Sequence, residues 1–274
     1  MNLIGNDYRL FQNTIAWDLA KAVEDNNLEE IEKIYNREKS ILNFQEPIYG
    51  QTLLMMSINN CHYSSFKKLL ELGADPNIHD FNNGASAIIY ASEMRYYKGD
   101  NSSFLKLLLK YHANPNDEEI GERKVGNDTR KTPLIAACTV AGIDSIDLRK
   151  VQILADAGAD INKMNDYQVC PLNYSLLTGK YDVAYYLLKK GANYEIPIFQ
   201  RADSEPGYKT VCILDFLRER LHPLNSIEHN YKLKIIEFLK FRGLDYWSYP
   251  IPVYIIERIK ETHPQDWREY LERY

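Results

Sequence analysis

One segment recurs along this chain and constrains its fold more than any other feature. It is an amphipathic run ending in a leucine pair, a short link, then Gly-Ala-Asp or a close variant. It reads Leu69-Leu70-Glu71-Leu72-Gly73-Ala74-Asp75-Pro76-Asn77, and returns at 108–116, 153–162, 187–193 and 238–245. The last copy is Phe238-Leu239-Lys240-Phe241-Arg242-Gly243-Leu244-Asp245. The pattern predicts a helix with a built-in stop, because glycine just past a helix end takes the left-handed conformation at no steric cost. His112 fills that position in the second copy and is expected to bear some strain there. A Pro or Ile and an Asn then lead the chain out into a loop.

A second signature precedes each copy by one helix. Thr52-Leu53-Leu54, Thr132-Pro133-Leu134 and Cys170-Pro171-Leu172 match one another, with Ser86-Ala87-Ile88 and Cys212-Ile213-Leu214 as weaker members. Thr or Ser caps a helix start, and Pro suits the first helical position. Small residues follow, among them Ser57, Ala91, Ala136, Ala137 and Ser175, and let neighbouring helices approach closely. Each unit is therefore a short helix, a turn, a longer helix and an extended loop.

This alternation resembles the ankyrin repeat family, whose pattern holds T-P-L-H-x-A and a later Gly-Ala-Asp. The resemblance runs from about Leu19 to Asp245. It implies an all-α fold: an ankyrin-repeat solenoid of stacked helix-turn-helix units with loop or β-turn fingers and a two-helix C-terminal cap. The array is expected over 1–245, with a capping unit at 12–47 and repeats at about 48–80, 81–127, 128–165, 166–207 and 208–245. The cap takes 246–274 in the same domain. Pro252 and Pro264 suit its helix starts, and Ile255, Ile256, Ile259, Trp267, Tyr270 and Leu271 form its apolar stripes. The period departs from the family's. Thr52 to Ser86 spans 34 positions and Ser86 to Thr132 spans 46. The excess is placed in helix-turn inserts near 96–102, 142–147 and 222–229, and in loop inserts at 117–130 and 199–207, since stacked helices do not accept insertions.

The remaining features exclude more than they assign. The net charge of −5 argues against sequence-independent nucleic-acid binding and an anionic membrane surface. No secretory signal opens the chain and no stretch is apolar enough to span a bilayer, so it is expected to be cytoplasmic. Cys61, Cys138, Cys170 and Cys212 form no metal-ligand spacing. Three of them fall in or near repeated helices and read as small buried hydrophobes. No catalytic or nucleotide-binding motif is present, so neither an enzyme nor a cofactor is implied. His62 reads as a turn residue and Cys138 as a packed thiol. The run Asp117-Glu118-Glu119 reads as a solvated, mobile loop, or else as a charged finger that touches a partner.

The resemblance also implies a non-enzymatic scaffold that binds another protein and is monomeric when unbound. Carried over repeat by repeat, the family's contact positions fall on Tyr49, Gln51, Asn59 and Asn60, then on Asn82, Asn83, Glu93 and Met94. The next repeats give Asp128, Lys131 and Thr139, then Asp166, Tyr167, Val169 and Thr178. A more concrete version is an immunity or inhibitor protein neutralising a basic toxin enzyme. An alternative of another class is an enzyme with a cryptic site in the C-terminal region, near His222 or His263.

Overall fold

The computed structural model describes residues 5–94, 102–122, 130–139, 145–202 and 207–274, with 145–147 as backbone alone. The chain falls into two compact units, one built on residues up to Gln168 and the other on residues from Val169 onward.

The first unit holds four helix pairs. They are α1 (Trp17–Glu24) with α2 (Leu28–Arg37), α3 (Leu53–Asn59) with α4 (Tyr63–Glu71), α5 (Ala87–Glu93) with α6 (Ser102–Lys110), and α7 (Pro133–Thr139) with α8 (Ser145–Asp156). First helices pack on first helices and second on second, giving two rows. The inner first-row helices α3, α5 and α7 are buried almost all round, whereas α1 exposes Asp18, Lys21 and Glu24. In α3 every residue from Leu53 to Ile58 is buried, and in α7 every residue from Pro133 to Cys138. Polar residues survive there by bonding back to their own helix: Ser57 and Ser92 donate to the carbonyls of Leu54 and Ile88. Thr52 and Thr132 cap their helices by accepting from the amides of Met55 and Ile135, as read from the sequence.

The helix stops also form as read. Gly73 (φ +97°), His112 (+65°), Gly158 (+89°), Gly191 (+97°) and Gly243 (+87°) are all left-handed. At each, paired amides return to the last helical turn, as where Gly73 donates to Leu70 and Ala74 to Leu69, both at 3.0 Å. Those carbonyls would otherwise be orphaned at the helix end. The acidic or Asn residue two positions on then caps its own loop, Asp75 accepting from the Asn77 amide and Asn114 from that of Asn116. Asparagines join successive loops. Asn77 donates to the His112 carbonyl and accepts from the Asn114 amide, and Asn116 does the same with Gly158 and Asp160.

The second unit holds α9 (Pro171–Leu177) with α10 (Tyr181–Lys189), α11 (Ile213–Glu219) with α12 (Ile227–Lys240), and the closing pair α13 (Val253–Thr262) and α14 (Trp267–Arg273). Where the sequence reading places a loop insert, the described residues form two strands. Strand β1 (Phe199–Ala202) pairs antiparallel with β2 (Tyr208–Val211), and Arg201 ties the hairpin to α11 through two bonds to Glu219, at 2.6 and 2.7 Å. Ile255, Ile259, Tyr270 and Tyr274 form the core of the closing pair. Beside it lie two buried cations. The Arg218 guanidinium sits 3.8 Å from the Tyr246 ring centre, and Lys232 Nζ lies 4.5 Å from that of Tyr274. The cysteine reading needs one correction: Cys138 and Cys170 are buried, but Cys212 is exposed, although Cys170 and Cys212 hold the same capping position ahead of α9 and α11.

Candidate protein-interaction face

The loops between helix pairs in the first unit are fingers, and each is organised by one buried polar side chain. In the first, Glu46 is fully buried and accepts from the amides of Ile48, Tyr49 and Gln51 at 2.8–3.0 Å. In the second, Asp80 accepts from four consecutive amides, Asn82 to Ala85, and from the Tyr90 hydroxyl. In the third, Glu119 accepts from the Lys131 amide at 2.8 Å, and burial raises its carboxyl above the usual range. In the fourth, Asn165 is buried and accepts from the Tyr167 amide. Buried carboxylates are costly unless fully hydrogen-bonded. Here they supply the acceptors that the turn amides require.

Neighbouring fingers are in main-chain contact. The Phe81 amide donates to the Tyr49 carbonyl at 2.7 Å, and Ile120 and Gly121 donate to Gly84 and Asn83 at 3.1 and 2.9 Å. A Cβ on Gly84 would meet the Gly121 nitrogen at 2.2 Å, so only glycine fits. The described parts of the fingers turn large apolar side chains outward. Ile48 is 61% exposed, Phe81 60%, Ile120 63% and Tyr167 54%.

The sequence-derived contact positions of the first unit lie along these fingers and at the ends of the first-row helices. Tyr49 and Asn83 are half-buried and Asn82 is exposed. Gln51 is buried and accepts from Asn59 Nδ2 at 3.3 Å. Asn59 and Asn60 close α3, half-buried. Glu93 and Met94 close α5, and Glu93 pairs with Lys131 of the third finger. Thr139 ends α7, its hydroxyl returned to the Ala136 carbonyl. Asp166 approaches Arg130 at 3.5 Å, and Tyr167 projects. Val169 and Thr178 belong to the second unit, both half-buried. Asp128 lies outside the described residues, as do most of the inserts at 96–102 and 142–147. Phe81 and Ile120 were not among the expected positions, although each is an apolar residue in a polar stretch, which is a legible signal.

The acidic run is not the solvated loop expected from the sequence. Asp117 and Glu119 are buried, and Glu118 pairs with Lys163 at 3.1 Å. Asp117 takes His79 Nε2 at 3.0 Å on one oxygen and the Ser86 hydroxyl on the other. This Ser, Asp and His trio is no nucleophile relay, because the carboxylate stands between the other two and the histidine cannot take the serine proton. It braces the third finger against the second. Cys138 is fully buried. Of the two C-terminal histidines, His263 stacks on Tyr270 at 4.1 Å. His222 packs edge-on against Tyr181, and burial together with the Lys232 charge lowers its pKa to about 4.

No helix among the described residues is long and apolar enough to cross a membrane. The family model for ankyrin repeats (3 copies) matches residues 19–119 and 97–197. The chain is also similar to the human protein named transient receptor potential cation channel subfamily A member 1. The two are 27% identical over 224 residues, which is 81% of this chain and 17% of that protein. Regular stops, capped first helices, braced fingers and the matched family model agree: this chain belongs to the ankyrin repeat family.

Proposed function

We propose that the chain is a non-enzymatic scaffold that binds another protein through the fingers and first-helix ends of its first unit. The observation that carries this reading is the row of finger tips. In the described part of each of the four fingers a buried acceptor holds the turn, and each presents a side chain more than half exposed, apolar in three and aromatic in Tyr167. Apolar surface held out on rigid loops favours a partner able to bury it. The expected contacts are the tips together with Tyr49, Asn59, Asn60, Asn82, Asn83, Glu93, Met94, Lys131, Thr139 and Asp166.

The test is paired affinity capture from the native cell. The bait is the unaltered chain or a triple variant, Ile48→Ser, Phe81→Ser and Ile120→Ser. A partner held by the first and reduced at least tenfold by the second is expected, with circular dichroism unchanged. A partner kept by the triple variant but lost on Lys67→Glu, on the second-row helix α4, would place binding elsewhere.

A narrower reading is an inhibitor of a basic toxin enzyme. Residues 1–168 hold 24 Asp and Glu against 18 Lys and Arg, whereas 169–274 hold 14 against 15. The negative excess thus lies with the unit that carries the fingers, which favours a cationic partner. Co-expression with a basic toxin encoded beside this gene is expected to restore growth. Equal killing with and without this chain would end the idea.

A further inference from the structure

The segment ahead of α1 lies across one end of the proposed face. Its anchor is a short turn, Tyr8–Phe11, in which Tyr8, Leu10 and Phe11 are buried. Asp7 caps that turn through the Arg9 amide and pairs with the Arg9 guanidinium at 2.5 Å. Ahead of the anchor the chain runs over the end of α3. The Asn6 carbonyl accepts from Asn60 Nδ2 at 2.9 Å. The Tyr8 hydroxyl meets His62 Nδ1 at 3.1 Å, and the two rings are parallel with centres 5.6 Å apart. Gly5 comes so close that a Cβ there would meet Gln51 Nε2 at 3.2 Å. Two contact positions of the first full repeat, Gln51 and Asn60, are therefore met by the chain itself, and Asn59 is joined to Gln51.

A surface cleft of about 470 Å³ lies beside the segment, lined by Asn6, Arg9, Glu24, Asn60 and His62 among others. Asn6 itself is exposed. A short segment with an open cleft at its side, held on α3 by an exposed hydrogen bond that water can replace, opens without disturbing the core. The groups it covers are side-chain amides. Such groups pair with main-chain carbonyls and N–H groups whatever the side chains of the partner, and this selects an extended chain as their ligand.

We infer that residues 5–7 form a displaceable strap, standing in for an extended segment of the partner that presents a main-chain carbonyl to Asn60 and lies beside Gln51. The inference rests on the reading of the fingers and first-helix ends as the binding face. A displayed library of random peptides, panned against the protein lacking residues 1–6, supplies the probe. Dissociation constants of the selected peptides are then measured for the truncated and full chains.

At least tenfold tighter binding to the truncated chain is expected, with at least a fivefold loss on Asn60→Ala in that background. Tyr8→Phe in the full chain keeps the buried ring but removes its hydroxyl, and is expected to strengthen binding at least twofold. Equal affinity for truncated and full chains, with binding still lost on Phe81→Ser, overturns the strap and leaves the face standing. Peptides insensitive to both Asn60→Ala and Phe81→Ser, or no binder at all, overturn the face and the strap together.

Discussion

At the scale of single residues, backbone handedness is the sharpest constraint. His112 is left-handed at φ +65° and exposed, where three of its four counterparts lie between +89° and +97° and all four are glycine. His112→Gly is therefore expected to stabilise by up to about 1 kcal/mol, the relief of left-handed strain set against glycine's greater freedom when unfolded. Gly191→Ala should cost about 1–2 kcal/mol. A Cβ at Gly191 meets nothing within 4 Å, so that cost is pure backbone. Urea titration of both variants checks the pair, and a neutral Gly191→Ala would refute the assignment. These stops were legible because glycine position reports φ directly. Cys61, left-handed at +61° in the turn between α3 and α4, was not legible, since nothing in its side chain announces the role. Asn26 and Gly179 occupy the matching turns after α1 and α9.

At the scale of the element, a finger is a turn wrapped around one buried acceptor. Asp80→Ala removes the shared acceptor of four amides and a tyrosine hydroxyl, and is expected to destabilise by about 3 kcal/mol or more. Asp80→Asn keeps an acceptor oxygen and should cost clearly less, as thermal unfolding of both variants would read. The helix pairs and their caps could be read from the sequence, because apolar spacing and capping residues are local signals. The buried acceptors could not. Asp and Glu in a loop ordinarily mean solvation, and burial is favourable here only because the turn folds its amides onto them. A signal existed all the same: an acidic residue stands six positions ahead of both Thr52 and Ser86. The candidate face was likewise half legible. Its positions came from the family resemblance, whereas Gln51 is buried beside Gly5 and Asn59, and Phe81 and Ile120 project from fingers whose main chains pair with their neighbours.

At the scale of the whole molecule, pH acts on the second unit through two desolvated bases. Burial and the nearby Lys232 charge hold His222 at about 4, against 6.5 when unperturbed, while burial and the neighbouring Arg218 charge lower Lys232 to about 7 from 10.5. Both are bases with depressed pKa values, so the unfolded chain binds more protons than the folded one within each interval, and stability rises with pH there. The second unit is expected to lose stability as pH falls from 6.5 to 4 and to gain it from 7 to 10.5. Melting curves across these ranges check this: His222→Phe should flatten the acid limb and Lys232→Met the alkaline one. In the first unit, the asparagine bridges between successive loops bear on how such a chain changes length. Each rung needs an asparagine at the end of one loop and a free amide and carbonyl at the start of the next. A duplicated stretch that keeps this phase brings its own rung and completes its neighbour's, so the array can be lengthened or shortened by whole units, while a partial copy leaves two loops unjoined.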